Sequence, residues 1–176
     1  MNKIINGKQC TVLWHVDNLK ISHVDPGVVT DVLDQINEKY GKEAPITTTR
    51  GKHHDYLGMV IDYSTEGEVR FTMVDYIYEI LEDLPPGFAK GEAATPAADH
   101  LFSVSDSGVL ISSELAKLFH QITAKLLFLA KRARPDIQLP VAFLCTRVQQ
   151  PDEDDWKKLG RVLKYLRGST GGAVQS

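Results

Sequence analysis

The amino-acid sequence predicts an α+β fold, and three observations carry that prediction. Short β-prone runs joined by polar or glycine-containing turns fill the first half, long apolar patterns of helical period fill the second, and a stretch rich in proline and glycine separates them. At 176 residues the chain has the length of one domain or of two small subdomains. Hydrophobic residues make up 43% and charged residues 24%, which places it among globular chains rather than disordered or fibrous ones.

Gln9 to Trp14 and Leu19 to Ser22 read as the strands of a hairpin. Its polar turn, His15-Val16-Asp17-Asn18, presents side chains at a tip. A helix follows, with Asp25 as N-cap, Pro26 in its first turn, Val28, Val29, Val32, Leu33, Ile36 and Tyr40 at helical spacing, and Gly41 as stop. Asp55 to Tyr63 and Glu68 to Met73 read as a second hairpin through the loop Ser64 to Gly67. A short helix runs from about Val74 to Asp83.

Residues 84–112 contain Pro85, Pro86, Gly87, Gly91, Pro96 and Gly108 without a sustained period, so they read as a linker between a unit over 1–83 and one over 113–168. From Ser113, the residues Leu115, Leu118, Phe119, Ile122, Leu126 and Leu129 mark an amphipathic helix that ends before Pro135. A mostly apolar helix over Ile137 to Val148 reads as buried. The last helix carries acids at 152–155, Trp156, Leu159, Leu163 and Leu166 on one face, Lys164 and Arg167 near its end, and Gly168 as stop. Residues 169–176 read as a disordered tail.

Charge is distributed unevenly. Residues 1–112 carry 9 Lys and Arg against 17 Asp and Glu, a net of −8, whereas residues 113–176 carry 11 against 6, a net of +5. Any polyanion contact is therefore expected in the second half, the alternative being solvated helix faces. Cys10 and Cys145 stand alone without CxxC spacing, so neither a disulfide framework nor a structural zinc site is indicated, and a reduced intracellular setting fits best. Neither a signal-peptide pattern nor a run of about 18 apolar residues is found, so a soluble protein without a membrane partner is expected.

The candidate chemistry centres on the first hairpin. An aspartate at a hairpin tip projects its carboxylate outward, as nucleotidyl transfer requires of groups that hold two Mg²⁺ ions. Asp and Asn also favour turns for their own backbone hydrogen bonds, which is the structural alternative for Asp17-Asn18.

Leu13-Trp-His-Val-Asp-Asn-Leu-Lys-Ile-Ser22 resembles the aromatic-Val-Asp-Asp hairpin of reverse transcriptases. Further segments resemble copia-type retrotransposon enzymes in family order: Asp55 to Ile61, Thr95-Pro96, Leu126 to Ile137 with its Arg-Pro-Asp-Ile block, and Arg161-Val-Leu-Lys-Tyr-Leu-Arg-Gly168. The resemblance implies the end of a polymerase palm over residues 1–83 and a helical thumb-like region and connection over 113–168. It also implies an RNA-directed DNA polymerase ancestry, Mg²⁺ as cofactor, Asp17 as metal ligand, and Asp17 with Asn18 at the catalytic position. An RNA or DNA template–primer duplex and the rest of a Pol polyprotein, upstream fingers and palm and downstream RNase H, would be its partners.

Two departures matter. His15 stands where the family has an aromatic residue, and Asn18 stands in place of the second carboxylate. An amide oxygen carries no charge and holds a hard cation more weakly. Because the family's other metal-binding aspartate and its fingers lie upstream of this hairpin, the chain is expected to be a fragment that is inactive alone. A non-catalytic nucleic-acid-binding remnant and a decayed structural module are the alternatives.

In the thumb-like region Lys131, Arg132, Arg134 and Arg147 are candidate phosphate contacts, with a solvated helix face as the alternative. His53 and His54 are expected to be solvated, since strand neighbours point to opposite faces and do not share one ion. Cys145, in an apolar run, reads as a buried structural residue. Trp14 and Trp156 read as core side chains, with base stacking as the alternative.

Overall fold

The computed structural model describes the chain apart from Glu43, Asp106, Gly171, Gly172 and Ser176, and describes residues 173–175 by their backbone alone. It divides into two compact units, Met1–Leu57 and Gly58–Ser176.

The first unit opens with three antiparallel strands in sequence order, β1 (Asn2–Ile5), β2 (Lys8–His15) and β3 (Asn18–Ser22). The β1–β2 turn is Asn6-Gly7, with φ of 50° and 72°, the left-handed pair that a two-residue hairpin loop demands. Asn-Gly is a strong hairpin signal, and β1 is an addition to the sequence-based reading. In β2–β3, Trp14 faces Leu19 and His15 faces Asn18, leaving Val16 and Asp17 as the loop. Helix α1 (Pro26–Tyr40) is capped by the Asp25 carboxylate, which accepts from the Gly27 N–H, and it ends where the Gly41 N–H donates to the Asn37 carbonyl. Strand β4 (His53–Tyr56) completes the unit. Cys10 and Val28 are its buried hydrophobic residues.

In the second unit β5 (Met59–Asp62), β6 (Val69–Thr72) and β7 (Ala173–Gln175) pair antiparallel in that order. The run 55–63, read from sequence as one strand, is two: Leu57 and Gly58 both take positive φ, 54° and 76°, and so interrupt the extended backbone. Of the tail expected to be disordered, Gly171, Gly172 and Ser176 lie outside the described residues, and 173–175 form β7.

Helices α2 (Val74–Glu82), α3 (Ser113–Arg132), α4 (Gln138–Arg147) and α5 (Glu153–Gly168) make up the rest, with a 3-10 turn at Pro135–Ile137 between α3 and α4. Ser112 caps α3 by accepting from the Leu115 N–H. Asp152 and Asp155 cap α5 reciprocally, each side chain accepting from the other's backbone N–H. The apolar stripes meet in one core: Ile77 and Ile80 of α2, Phe119, Ile122, Leu126 and Leu129 of α3, Val141 and Leu144 of α4, and Leu159, Val162, Leu163 and Leu166 of α5. Each such side chain contributes about 1.5–3 kcal/mol on burial.

Residues 84–112 are irregular, as their composition predicts, yet they are fastened to α5 rather than left as a free tether. Phe88 stacks on Trp156 with ring centroids 4.2 Å apart. A Cβ at Gly160 would meet the Phe88 ring at 3.3 Å, so the glycine permits that close approach. Lys158 donates to the Ser103 carbonyl and Arg161 to Thr95 Oγ1. Among the described residues no helix is long and apolar enough to cross a membrane.

Candidate functional site

The β2–β3 loop puts Asp17 and Asn18 at an exposed tip, as the sequence predicts. Val16 there takes φ of 48°, a left-handed conformation that a β-branched residue rarely adopts. The Trp14 indole Nε1–H donates to the Val16 carbonyl at 2.7 Å and braces the turn. Trp14 is therefore not the core side chain expected from its apolar position: it is 73% exposed and serves the loop backbone. Backbone strain of this kind concentrates at functional tips. The loop itself holds one carboxylate, Asp17. Among the described residues, no three His, Cys, Asp or Glu side chains gather in a set that could hold a metal ion.

The four basic residues singled out in the second half separate into two pairs. Arg134 is 4% exposed and already engaged. Its Nε donates to Asp136 Oδ1 at 3.0 Å, and its Nη2 donates to Asp136 Oδ2 at 2.7 Å and to Ser169 Oγ at 2.8 Å. Tyr165 Oη donates to Asp136 Oδ2 at 2.8 Å, and the Arg134 guanidinium lies 5.4 Å from the Tyr165 ring centroid. The Arg-Pro-Asp-Ile and Lys-Tyr-Leu-Arg-Gly blocks thus meet and tie the end of α3 to the end of α5. Burial pushes the Asp136 carboxyl up, but hydrogen bonds from Arg134 and Tyr165 outweigh it and hold the group below the usual carboxylate range.

Arg147 is likewise drawn inward, its Nε donating to Asp155 Oδ2 at 2.9 Å beside the α5 cap. Arg134 and Arg147, expected as phosphate contacts, both pair with carboxylates of their own unit, Arg134 with the partly exposed Asp136 and Arg147 with the buried Asp155. Lys131 stays exposed, and Arg132 lies over the Phe128 ring, 3.6 Å from its centroid.

Cys145 is half-buried, and burial pushes its thiol up, away from the reactive thiolate. His53 and His54 sit in β4, His53 exposed and His54 half-buried, with neighbours that engage both. Trp156 packs against Phe88 at the edge of the core. Sequence reasoning passed over a row of cations on α5, Lys157, Arg161 and Lys164, although its spacing of four and three residues was readable as a single helix face.

No protein-family model and no solved structure matches the chain. What it does resemble is a class, the proteins of retrotransposons. It is 24% identical over 162 residues, 86% of its own length and 47% of the relative's, to a protein of Saccharomyces cerevisiae named for transposon Ty5-1. It is also 24% identical over 165 residues, 91% of its own length and 12% of the relative's, to the retrovirus-related Pol polyprotein from transposon TNT 1-94 of Nicotiana tabacum. The chain thus spans less than half the length of each of these curated relatives. Both similarities support an origin in a retrotransposon Pol polyprotein.

Proposed function

We propose that the chain derives from the reverse transcriptase portion of such a polyprotein, with the β2–β3 hairpin descended from a metal-binding hairpin and α3 to α5 from the thumb-like region and connection. The observation that carries this reading is the hairpin tip: Asp17 is exposed on a two-residue loop whose Val16 is held at positive φ. The surrounding Leu13 to Ser22 run resembles the polymerase hairpin, and similarity to Pol proteins covers most of the chain.

The described residues do not make a Mg²⁺ site by themselves. Asp17 offers one anionic ligand and Asn18 a neutral amide, whereas two-metal chemistry needs several carboxylates around the ions. No catalytic step is therefore derived through the metal. In this reading the missing carboxylates belong to the fingers and palm of the polyprotein, and the nucleic acid is an RNA or DNA template–primer inside the cell.

Primer extension tests the proposal. The 176-residue chain and its Asp17→Ala variant should both leave an oligo-dT primer on poly-A unextended in Mg²⁺. Extension by the wild type that the variant lacks would overturn the incomplete-site reading. A chimera that places residues 1–168 in the matching segment of the tobacco polyprotein should extend the primer once Asn18→Asp is introduced. A folded chimera that stays inactive would overturn the polymerase ancestry of the hairpin.

A further inference from the structure

Residues 92–101 and helix α5 enclose a cleft of about 380 Å³ that no part of the hairpin reading uses. On the segment's side its lining includes Pro96, Ala97 and Leu101, and on the helix's side Lys157, Lys158, Arg161 and Lys164. Lys158 is committed to the fold: it is 6% exposed, and its Nζ donates to the Ser103 carbonyl at 2.6 Å and pairs with Asp154 at 2.9 Å. The lining also carries two carboxylates, Asp154, which is paired with Lys158, and Glu92, whose side chain lies against Gly168.

Lys157, Arg161 and Lys164 are left as a row of cations, and among the described residues none of them forms an ion pair. Aligned like charges at this spacing repel one another. Arg161 carries a second unmet demand. Its Nη2 is fixed by donation to Thr95 Oγ1 at 2.9 Å, while its Nε–H is buried without an acceptor. A buried donor left unpaired destabilises the fold until something accepts from it. An oxyanion would answer both demands, and the planar edge of a guanidinium is well matched to phosphate.

The row also has a length. Seven residues of α-helix separate Lys157 from Lys164, about 10.5 Å at a rise of ~1.5 Å per residue. That is longer than the ~3.4 Å axial rise between successive phosphates of one strand, so the row reaches more than one phosphate. The geometry points to a phosphodiester-binding cleft between residues 92–101 and α5, in which Arg161 donates to one phosphate and Lys157 and Lys164 neutralise its neighbours along a nucleic-acid strand. The site stands on its own residues and rests on the polymerase reading only for the expectation that the strand belongs to a template–primer.

Binding of a labelled RNA–DNA duplex to the full chain, followed by fluorescence polarisation over a salt series, tests it. Lys157→Ala with Lys164→Ala removes two exposed or half-exposed charges and should flatten the log–log salt slope by about two, near one per phosphate contact. Arg161→Ala should weaken binding further, and Thr95→Ala should leave the salt slope in place. An unchanged slope in the folded double-lysine variant would overturn the cleft. Inorganic phosphate that binds as tightly as the duplex would overturn the strand assignment. Failure of the Asn18→Asp chimera would leave the slope result intact, so the two readings fail separately.

Discussion

The helical unit and the hairpin unit reach order by different means. Residues 58–176 bury a continuous apolar set from four helices, and their buried charges are paired: Arg134 with Asp136, Arg147 with Asp155, Lys158 with Asp154. Residues 1–57 bury Cys10 and Val28, leave Leu13, Trp14 and Val16 exposed, and hold an open cleft of about 520 Å³ near α1 lined in part by Cys10, Val28 and Val32. One unit is held mainly by desolvation, the other mainly by strand pairing, a cap and turn geometry. A three-stranded sheet with so small a core gains little from burial, so the β2–β3 hairpin is expected on the less stable part of the chain.

The strongest test of that contrast compares matched truncations. Leu126→Ala, at a fully buried site of α3, should cost about 3 kcal/mol in urea unfolding. Trp14→Ala deletes a larger side chain but should cost less than about 1 kcal/mol, chiefly its hydrogen bond to Val16. Similar losses at the two sites would break the comparison, because they would mean that the hairpin is covered in solution.

A smaller effect probes the polar tie between α3 and α5. Asp136→Asn keeps the shape but removes the charge facing a buried Arg134, and should cost about 2 kcal/mol, moderated by Ser169, which still accepts. The Asp136 carboxyl is held below its ordinary value, so its contribution is fully present above the ordinary Asp pKa of about 3.9 and is lost as pH falls through the lowered folded value. The stability gap between wild type and variant should therefore close across that acidic window in pH-dependent unfolding. A gap that persists below it would assign the tie to Tyr165 and Ser169 rather than to the carboxylate.

Much of the helix pattern was legible because periodic apolar positions and capping residues are local: Asp25, Ser113 and Gly168 mark boundaries that the structure keeps within a residue or so. What escaped depends on context. Asn6-Gly7 announced a hairpin, but the strand before it is only 4 residues long. Leu57-Gly58 was hidden inside an apolar run, and Trp14 looked like core because its exposure depends on which face of the sheet is covered. At the candidate sites, Asp17 could be placed at a tip from its turn alone. The fates of Arg134 and Arg147 could not be read, since the aspartates that claim them come close only when the helices pack.

The smallest expected effect bears on the hairpin itself. Val16 holds φ of 48°, where a β-branched residue is opposed by its own Cβ and glycine is not. Val16→Gly should therefore stabilise the tip by about 1 kcal/mol, offset in part by the greater freedom glycine gives the unfolded chain. Amide hydrogen exchange at His15 and Asn18, which flank the loop, would report it as slower opening of that hairpin with no change in α3 or α5. Faster exchange would mean that the Trp14–Val16 hydrogen bond, rather than relief of backbone strain, governs the tip. The two outcomes separate a loop held against its preference from one that its neighbours have made comfortable, and only the first fits the metal-binding descent proposed for the hairpin.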